Sequence, residues 1–310
     1  MNDNVAVRTI VPILLLMALG FFARKTGILK AGDERVLNAY VYYFALPSLF
    51  IVDLAETTFT QENLRFIFAG IIPILIVVAV YTLLYRLFKF SRDTFYLLIL
   101  CTVFGSLAFF GIPFLMFAFP GTVEKLATLS TASISVISVT ISITVLELYR
   151  LEKSTLWNGI KLVARRLSRN PLIISIFLGV LLSISGVEIP VPVATSLHML
   201  GSTTAAVAVF LLGVFFYGRK YANLVRSFEL SLLRIVLLPT IGFTIATLFN
   251  LPSLERTTLV IMHAVPVAIS MIVLSERYDF YKETIASVIL ISSISAGIYL
   301  NLWLLLLGQA

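Results

Sequence analysis

The sequence predicts an all-α membrane protein: ten transmembrane helices as two inverted five-helix repeats, with broken crossover helices fourth and ninth. Three observations carry that reading. The chain is 59% hydrophobic and only 13% charged over 310 residues, with a mean hydropathy of +1.02, which lies outside the range of soluble globules. Ten stretches contain no Asp, Glu, Lys or Arg: 9–23, 36–52, 66–85, 94–123, 126–146, 170–187, 189–218, 235–254, 257–275 and 284–310. Most reach the roughly 17–25 residues that a helix needs to cross about 30 Å of hydrocarbon. Finally, the fourth and ninth stretches carry helix breakers deep inside them.

Taken in order, the first stretch is short, but Val5 to Val7 extend it upstream and Arg24 can snorkel to the interface. The second carries Phe44-Ala45-Leu46-Pro47-Ser48-Leu49 at its centre, where a proline removes one backbone hydrogen bond and kinks the helix. Pro47 is therefore either a structural kink or part of a solute path. The third stretch contains no acid. The fourth reads Phe104-Gly105-Ser106 and then Gly111-Ile112-Pro113. In the fifth, Thr131, Ser135, Ser138 and Ser142 share one helical face while Ser133, Thr140 and Thr144 share the other. Hydroxyls on both faces suit a helix buried among helices. The connector from Tyr149 to Arg169 is basic and amphipathic and is expected on the membrane surface. Asn170-Pro171 opens the sixth span, and His198 falls near the outer end of the seventh. Arg234 stands at the inner end of the eighth. The ninth reads His263-Ala264-Val265-Pro266 and then Ser270, and the tenth is again rich in Ser. Asp53, Glu147 and Glu276 lie at segment ends and are expected at the water boundary.

The formal net charge of +7 is a topology signal; it does not point to a nucleic-acid partner. Eighteen of the 23 Lys and Arg fall in the connectors after spans one, three, five, seven and nine. The positive-inside rule then puts both termini on the non-cytoplasmic side of the cell (inner) membrane. The single cysteine, Cys101, allows no internal disulfide or cysteine cluster, and His198 and His263 belong to no metal-ligand motif. No metal site or cofactor is expected, apart from a coupling proton or sodium ion. The N-terminus lacks a cleavage signal and is read as a retained first helix.

An odd number of spans per half forces the second half to enter from the opposite side. The chain divides into a first repeat at 1–148, a basic cytoplasmic connector at 149–169 and a second repeat at 170–310. A backbone broken at membrane depth is tolerated where it packs in protein or lines a watery cavity. Matched breaks in two repeats point to a carrier's binding site. A half-helix beginning inside the membrane offers unpaired N–H groups and about half a positive charge, which favours an anion. The expected substrate-binding residues are Gly105, Ser106, Gly111, Pro113, His263, Pro266, Ser270 and Pro47. His263 is the ionisable side chain well inside a broken helix, with a proton-coupling role or a plain structural one open to it.

Gly20 to Leu29, Tyr43-Phe-Ala-Leu-Pro-Ser-Leu, Phe104-Gly-Ser-(x)4-Gly-Ile-Pro, Asn170-Pro-Leu-Ile-Ile, Leu200-Gly-Ser and Ser275-Glu-Arg-Tyr278 together resemble the auxin efflux carrier family, in its compact prokaryotic form. The resemblance runs over essentially the whole chain. It implies an inverted pair of five-helix repeats crossing near the bilayer midplane, an architecture like that of bile-acid sodium symporters. It also implies organic-anion cargo, dicarboxylates in bacteria and auxin in plants. The chain departs from the family pattern at Ser106 and Ser270, where Asn is usual, and at Ala206, where Pro is frequent. A hydroxyl has a shorter reach and fewer donors than an amide, so the cargo does not transfer with the scaffold.

The sequence-level expectation is a secondary carrier, with efflux as its direction, moving a mono- or dicarboxylate or an auxin-like compound by alternating access. Its partners are that small organic anion and the lipid bilayer, and a homodimer is compatible with it. The alternatives are a sodium- or proton-coupled symporter or, further off, a channel or sensor. An enzyme is disfavoured: Ser106 or Ser270 with His263 could imitate a dyad, but no acidic cluster accompanies them.

Overall fold

The computed structural model describes residues 5–150 and 156–309. Residues 151–155, inside the predicted connector, lie outside them. The described residues are almost wholly helical. In chain order the helices are α1 (Val5–Lys25), α2 (Asp33–Ala55), α3 (Gln61–Phe88), α4 (Arg92–Val103), α5 (Leu107–Ala118), α6 (Glu124–Arg150) and α7 (Leu156–Leu167). They continue with α8 (Pro171–Ser185), α9 (Val191–Phe216), α10 (Leu224–Leu248), α11 (Ser253–Ala264), α12 (Ser270–Tyr278) and α13 (Lys282–Leu306). Seven of these, α1, α2, α3, α6, α9, α10 and α13, are long and apolar enough to cross a bilayer. Helix α8 has 15 residues, about 22 Å at 1.5 Å per residue, which is shorter than the hydrocarbon layer.

Local chemistry sets the helix ends. The Asn170 side chain accepts hydrogen bonds from the amides of Leu172 (3.0 Å) and Ile173 (3.4 Å). Pro171, which has no amide to satisfy, fills the first turn. Ser91 caps α4 by accepting from the Thr94 amide at 3.1 Å. At three places a turn widens to i→i+5 bonding: Val41–Ala45, Leu107–Gly111 and Leu233–Leu237. Each is followed by an X-Pro pair, Leu46-Pro47, Ile112-Pro113 and Leu238-Pro239. Proline supplies no N–H and its ring crowds the carbonyl four residues back. A widened turn immediately before it re-partners the carbonyls that would otherwise be left over. The kink expected at Pro47 is thus a π-type turn.

The helices sort into two groups by what they pack against. Helices α1, α2, α8 and α9 form one: α1 lies along α9, and α2 packs on both α8 and α9. The α1–α9 contact is a reciprocal glycine crossing. A Cβ on Gly20 would lie 2.0 Å from the Phe210 carbonyl oxygen, and one on Gly213 would lie 1.9 Å from that of Met17. Small residues at such crossings let helix backbones touch in lipid, where no hydrophobic force drives association. The second group contains α3 to α6 and α10 to α13, with α10 packed on α3, α11 and α13 and with α6 on α3 and α4. The groups meet where α1 and α9 lie against α5, α1 against α13, and α2 against α6.

Candidate substrate site at the helix crossover

The fourth and ninth apolar stretches are both interrupted. Helix α4 stops at Val103 and α5 starts at Leu107; α11 stops at Ala264 and α12 starts at Ser270. The two interruptions cross and pair with each other. The Ser106 amide donates to the Pro266 carbonyl at 2.8 Å, and the Ala268 amide donates to the Phe104 carbonyl at 2.9 Å. This makes an isolated antiparallel bridge between Gly105 and Val267. A third amide of the crossing, that of Val267, donates to the Ser292 hydroxyl of α13 at 3.3 Å. Backbone groups that lipid could not satisfy are therefore met by the opposite break and by a neighbouring helix.

Four half-helix ends converge here, and their polarities differ. The ends of α4 and α11 present carbonyls, and the starts of α5 and α12 present amides. The carbonyl ends are held by a side chain that the sequence reading put at a helix terminus. Arg234 is fully buried. Its Nε donates to the Val265 carbonyl (2.9 Å), Nη1 to those of Thr102 (2.8 Å) and Val103 (3.2 Å), and Nη2 to that of Met262 (3.2 Å). One guanidinium thus bridges the ends of both half-helices. Its charge meets two helix C-termini of about half a negative charge each. Gly105 makes room for it, since a Cβ there would lie 1.7 Å from Nη2.

The amide ends carry the predicted hydroxyls. Ser106 directly precedes α5 and is 5% exposed, and its Oγ has no hydrogen-bond partner. Ser270, the first residue of α12, is half-buried. Of the other predicted site residues, Gly105, Gly111, Pro113, His263 and Pro266 are all buried at or near the crossing. Gly111 abuts α11, where a Cβ would lie 2.6 Å from the Met262 sulfur. Pro113 is not part of the break; it sits in the first turn of the α-helical part of α5, beyond the widened turn. His263 is in the last turn of α11 with its ring against α10: a Cβ on Gly242 would lie 2.7 Å from its Cδ2. Pro47 is in α2, in the other helix group, and does not join the crossing.

Two of the three carboxylates at segment ends are buried within the protein. Asp53 is 2% exposed and accepts from the Thr128 hydroxyl at 2.6 Å, tying α2 to α6. Glu147 is 1% exposed, pairs with Arg166 of α7 at 2.6 Å and accepts from the Tyr278 hydroxyl of α12. Buried carboxylates persist when paired or hydrogen-bonded in this way. Only Glu276 is exposed, in an ion pair with Arg219 at 2.9 Å. His198 bonds Glu56 at 3.1 Å on the surface. In α6 the hydroxyls mostly bond their own helix: Ser142 donates to the Ser138 carbonyl at 2.7 Å and Thr140 to that of Val136 at 2.6 Å, which fits a packing role. A cavity of about 270 Å³ opens between the end of α9 and helices α12 and α13, lined by Lys220, Ile272, Ser275 and Lys282 among others.

Comparison with known proteins decides the class. The family described as "Membrane transport protein" matches residues 5–155 and 125–304. The chain belongs to that family. It is the auxin efflux carrier family that the motifs resembled. "Uncharacterized transporter MJ1031" of Methanocaldococcus jannaschii is 25% identical over 299 residues, covering 94% of this chain and 95% of the relative. "Uncharacterized transporter YfdV" of Escherichia coli K12 is 23% identical over 309 residues, covering 95% of each chain. With its apolar helices, this family member is a multi-pass membrane transport protein.

Proposed function

We propose that the chain is a secondary carrier that moves a small organic anion, a mono- or dicarboxylate or an auxin-like compound, by alternating access at the helix crossover. Its ten membrane segments form two inverted repeats at 1–148 and 170–310, with both termini on the non-cytoplasmic side and export as the direction. The observation that carries this is the paired crossing itself. Two interrupted helices are locked by the Ser106–Pro266 and Ala268–Phe104 backbone bonds. Beside them a buried hydroxyl without a partner, that of Ser106, stands at the start of α5. Helix N-termini attract anions, and the carbonyl ends that would repel one are covered by Arg234.

The two helix groups supply the moving parts. The group built on α3 to α6 and α10 to α13 carries the crossing, while the glycine-packed group of α1, α2, α8 and α9 frames it. The cavity between the residues that follow α9 and the α12–α13 pair is bounded on one side by the end of the frame and on the other by the crossing group, so that rocking of one against the other would change its width. The test is a thermal-stabilisation screen of mono- and dicarboxylates on purified protein, followed by flux into proteoliposomes. Saturable counterflow of a stabilising carboxylate supports a carrier; single-channel currents, or no carboxylate flux at all, contradict it.

A further inference from the structure

Arg234 covers the carbonyl ends beside the anion site and is not itself placed against the anion, and it is fully buried in the helix group that holds the crossing. Among the described residues no carboxylate pairs with it. All its nitrogens point instead at backbone carbonyls: Thr102 and Val103 from one half-helix end, Met262 and Val265 from the other. Four backbone oxygens from two helix ends, gathered in a fully buried place, are the kind of ligand a hard monovalent cation takes when carbonyls replace its hydration shell. Two helix C-termini together supply about one negative charge. A single positive charge therefore neutralises the two carbonyl ends, and here the chain supplies it covalently. Guanidinium stays protonated in proteins and its planar fork spans several acceptors at once.

We propose that Arg234 is a tethered cation that permanently fills the carbonyl cage where a coupling sodium ion would otherwise bind, so that this carrier works without sodium. The proposal rests on the carrier reading and deepens it: the sodium-symport alternative needs an exchangeable sodium ion, and at this carbonyl cage the place is already full. Gly105 follows from the same arrangement, because any side chain there would displace the guanidinium; its Cβ would fall 2.3 Å from the Arg234 Cζ.

The experiment compares thermal melts of detergent-purified protein in sodium chloride and in choline chloride at equal ionic strength, for the wild type and for Arg234→Ala. The wild type is expected to melt at the same temperature in both salts. Arg234→Ala, with its carbonyls uncovered, is expected to melt several degrees lower in choline. It should recover saturably with sodium or with millimolar guanidinium, which rebuilds the missing group. Sodium raising the melting temperature of the wild type, or an Arg234→Ala protein that responds to neither cation, would overturn the proposal. Should Arg234→Ala not accumulate as folded protein, the wild-type comparison still decides, together with Arg234→Lys, which keeps the charge and should stay insensitive to sodium. These melts need no substrate. Failure to find any carboxylate flux would sink the carrier reading while leaving the cation result readable.

Discussion

The two helix groups divide the buried polar chemistry very unequally. In α1, α2, α8 and α9 the fully buried polar side chains are Thr9, Ser48, Asp53, Ser175 and Thr204; the other eighteen all lie in the crossing group. The first group is instead held by close backbone approach, with Gly20 and Gly213 each seated on the opposite helix. Van der Waals contact of that kind has no alternative arrangement nearby, which suits a frame. Hydroxyls, a histidine and an arginine buried inside an apolar helix bundle are costly unless a structure or an activity requires them. The difference fits the proposal that transport is concentrated at the crossing, and it can be broken from either side.

The largest effect is expected at Gly105→Val. Its side chain would drive Arg234 from its four carbonyls, combining overpacking with an uncovered buried charge, at a cost of about 3 kcal/mol or more. Little or no monodisperse protein should survive size-exclusion chromatography, and a wild-type yield with a wild-type melt would refute the packing seen here. Next comes Gly213→Ala in the frame, where a methyl group meets the Met17 backbone: a loss of about 1–3 kcal/mol, read as a lowered melting temperature. Flux per folded molecule should barely change. A drop in flux without a drop in stability would erase the distinction between frame and crossing.

Ser106→Ala reverses that signature. The hydroxyl has no partner to lose, so the melt should move by no more than about 0.5 kcal/mol, whereas counterflow should fall about tenfold, the value of one hydrogen bond to a charged ligand. The smallest effect is at the surface. Partial burial of Glu56 opposes its ionisation, but hydrogen bonds from Lys125 and His198, both at 3.1 Å, prevail and hold its carboxyl below the usual range. A lowered folded value means stability that is present above the ordinary carboxylate pKa and is lost as pH falls through the lowered one. The pair is exposed, so Glu56→Gln should cost at most about 1 kcal/mol near neutrality. The variant and the wild type should converge in melts at acid pH.

The breaks were legible because glycine and proline act locally: Gly105-Ser106 and Pro266 mark the interruptions in sequence and in structure alike. Pro113 was not separable from them, since a proline that ends a helix and one absorbed by a widened turn look identical in one dimension. Arg234 was hidden by the rule that found the spans. A window that ends at every charge starts the eighth span at residue 235, whereas α10 begins at Leu224 and carries Arg234 about 15 Å into its length. Asp53 and Glu147 do lie at helix ends, at the close of α2 and α6; what the sequence does not report is the packing that buries them there. The apolar residues on both sides of Arg234, Leu232-Leu233 and Ile235-Val236, were the available signal. Which carbonyls it would meet depends on two segments far away in sequence, and no periodicity reports that.

The most direct measurement is carboxylate counterflow in proteoliposomes for the wild type, Ser106→Leu and Ser270→Leu, with the melt of each variant taken in parallel. A carrier working at the crossing gives saturable counterflow in the wild type and none in either variant, while both still unfold cooperatively, Ser106→Leu at a somewhat lower temperature because its site is buried. Undiminished counterflow in both variants would contradict it and move the substrate away from the crossing.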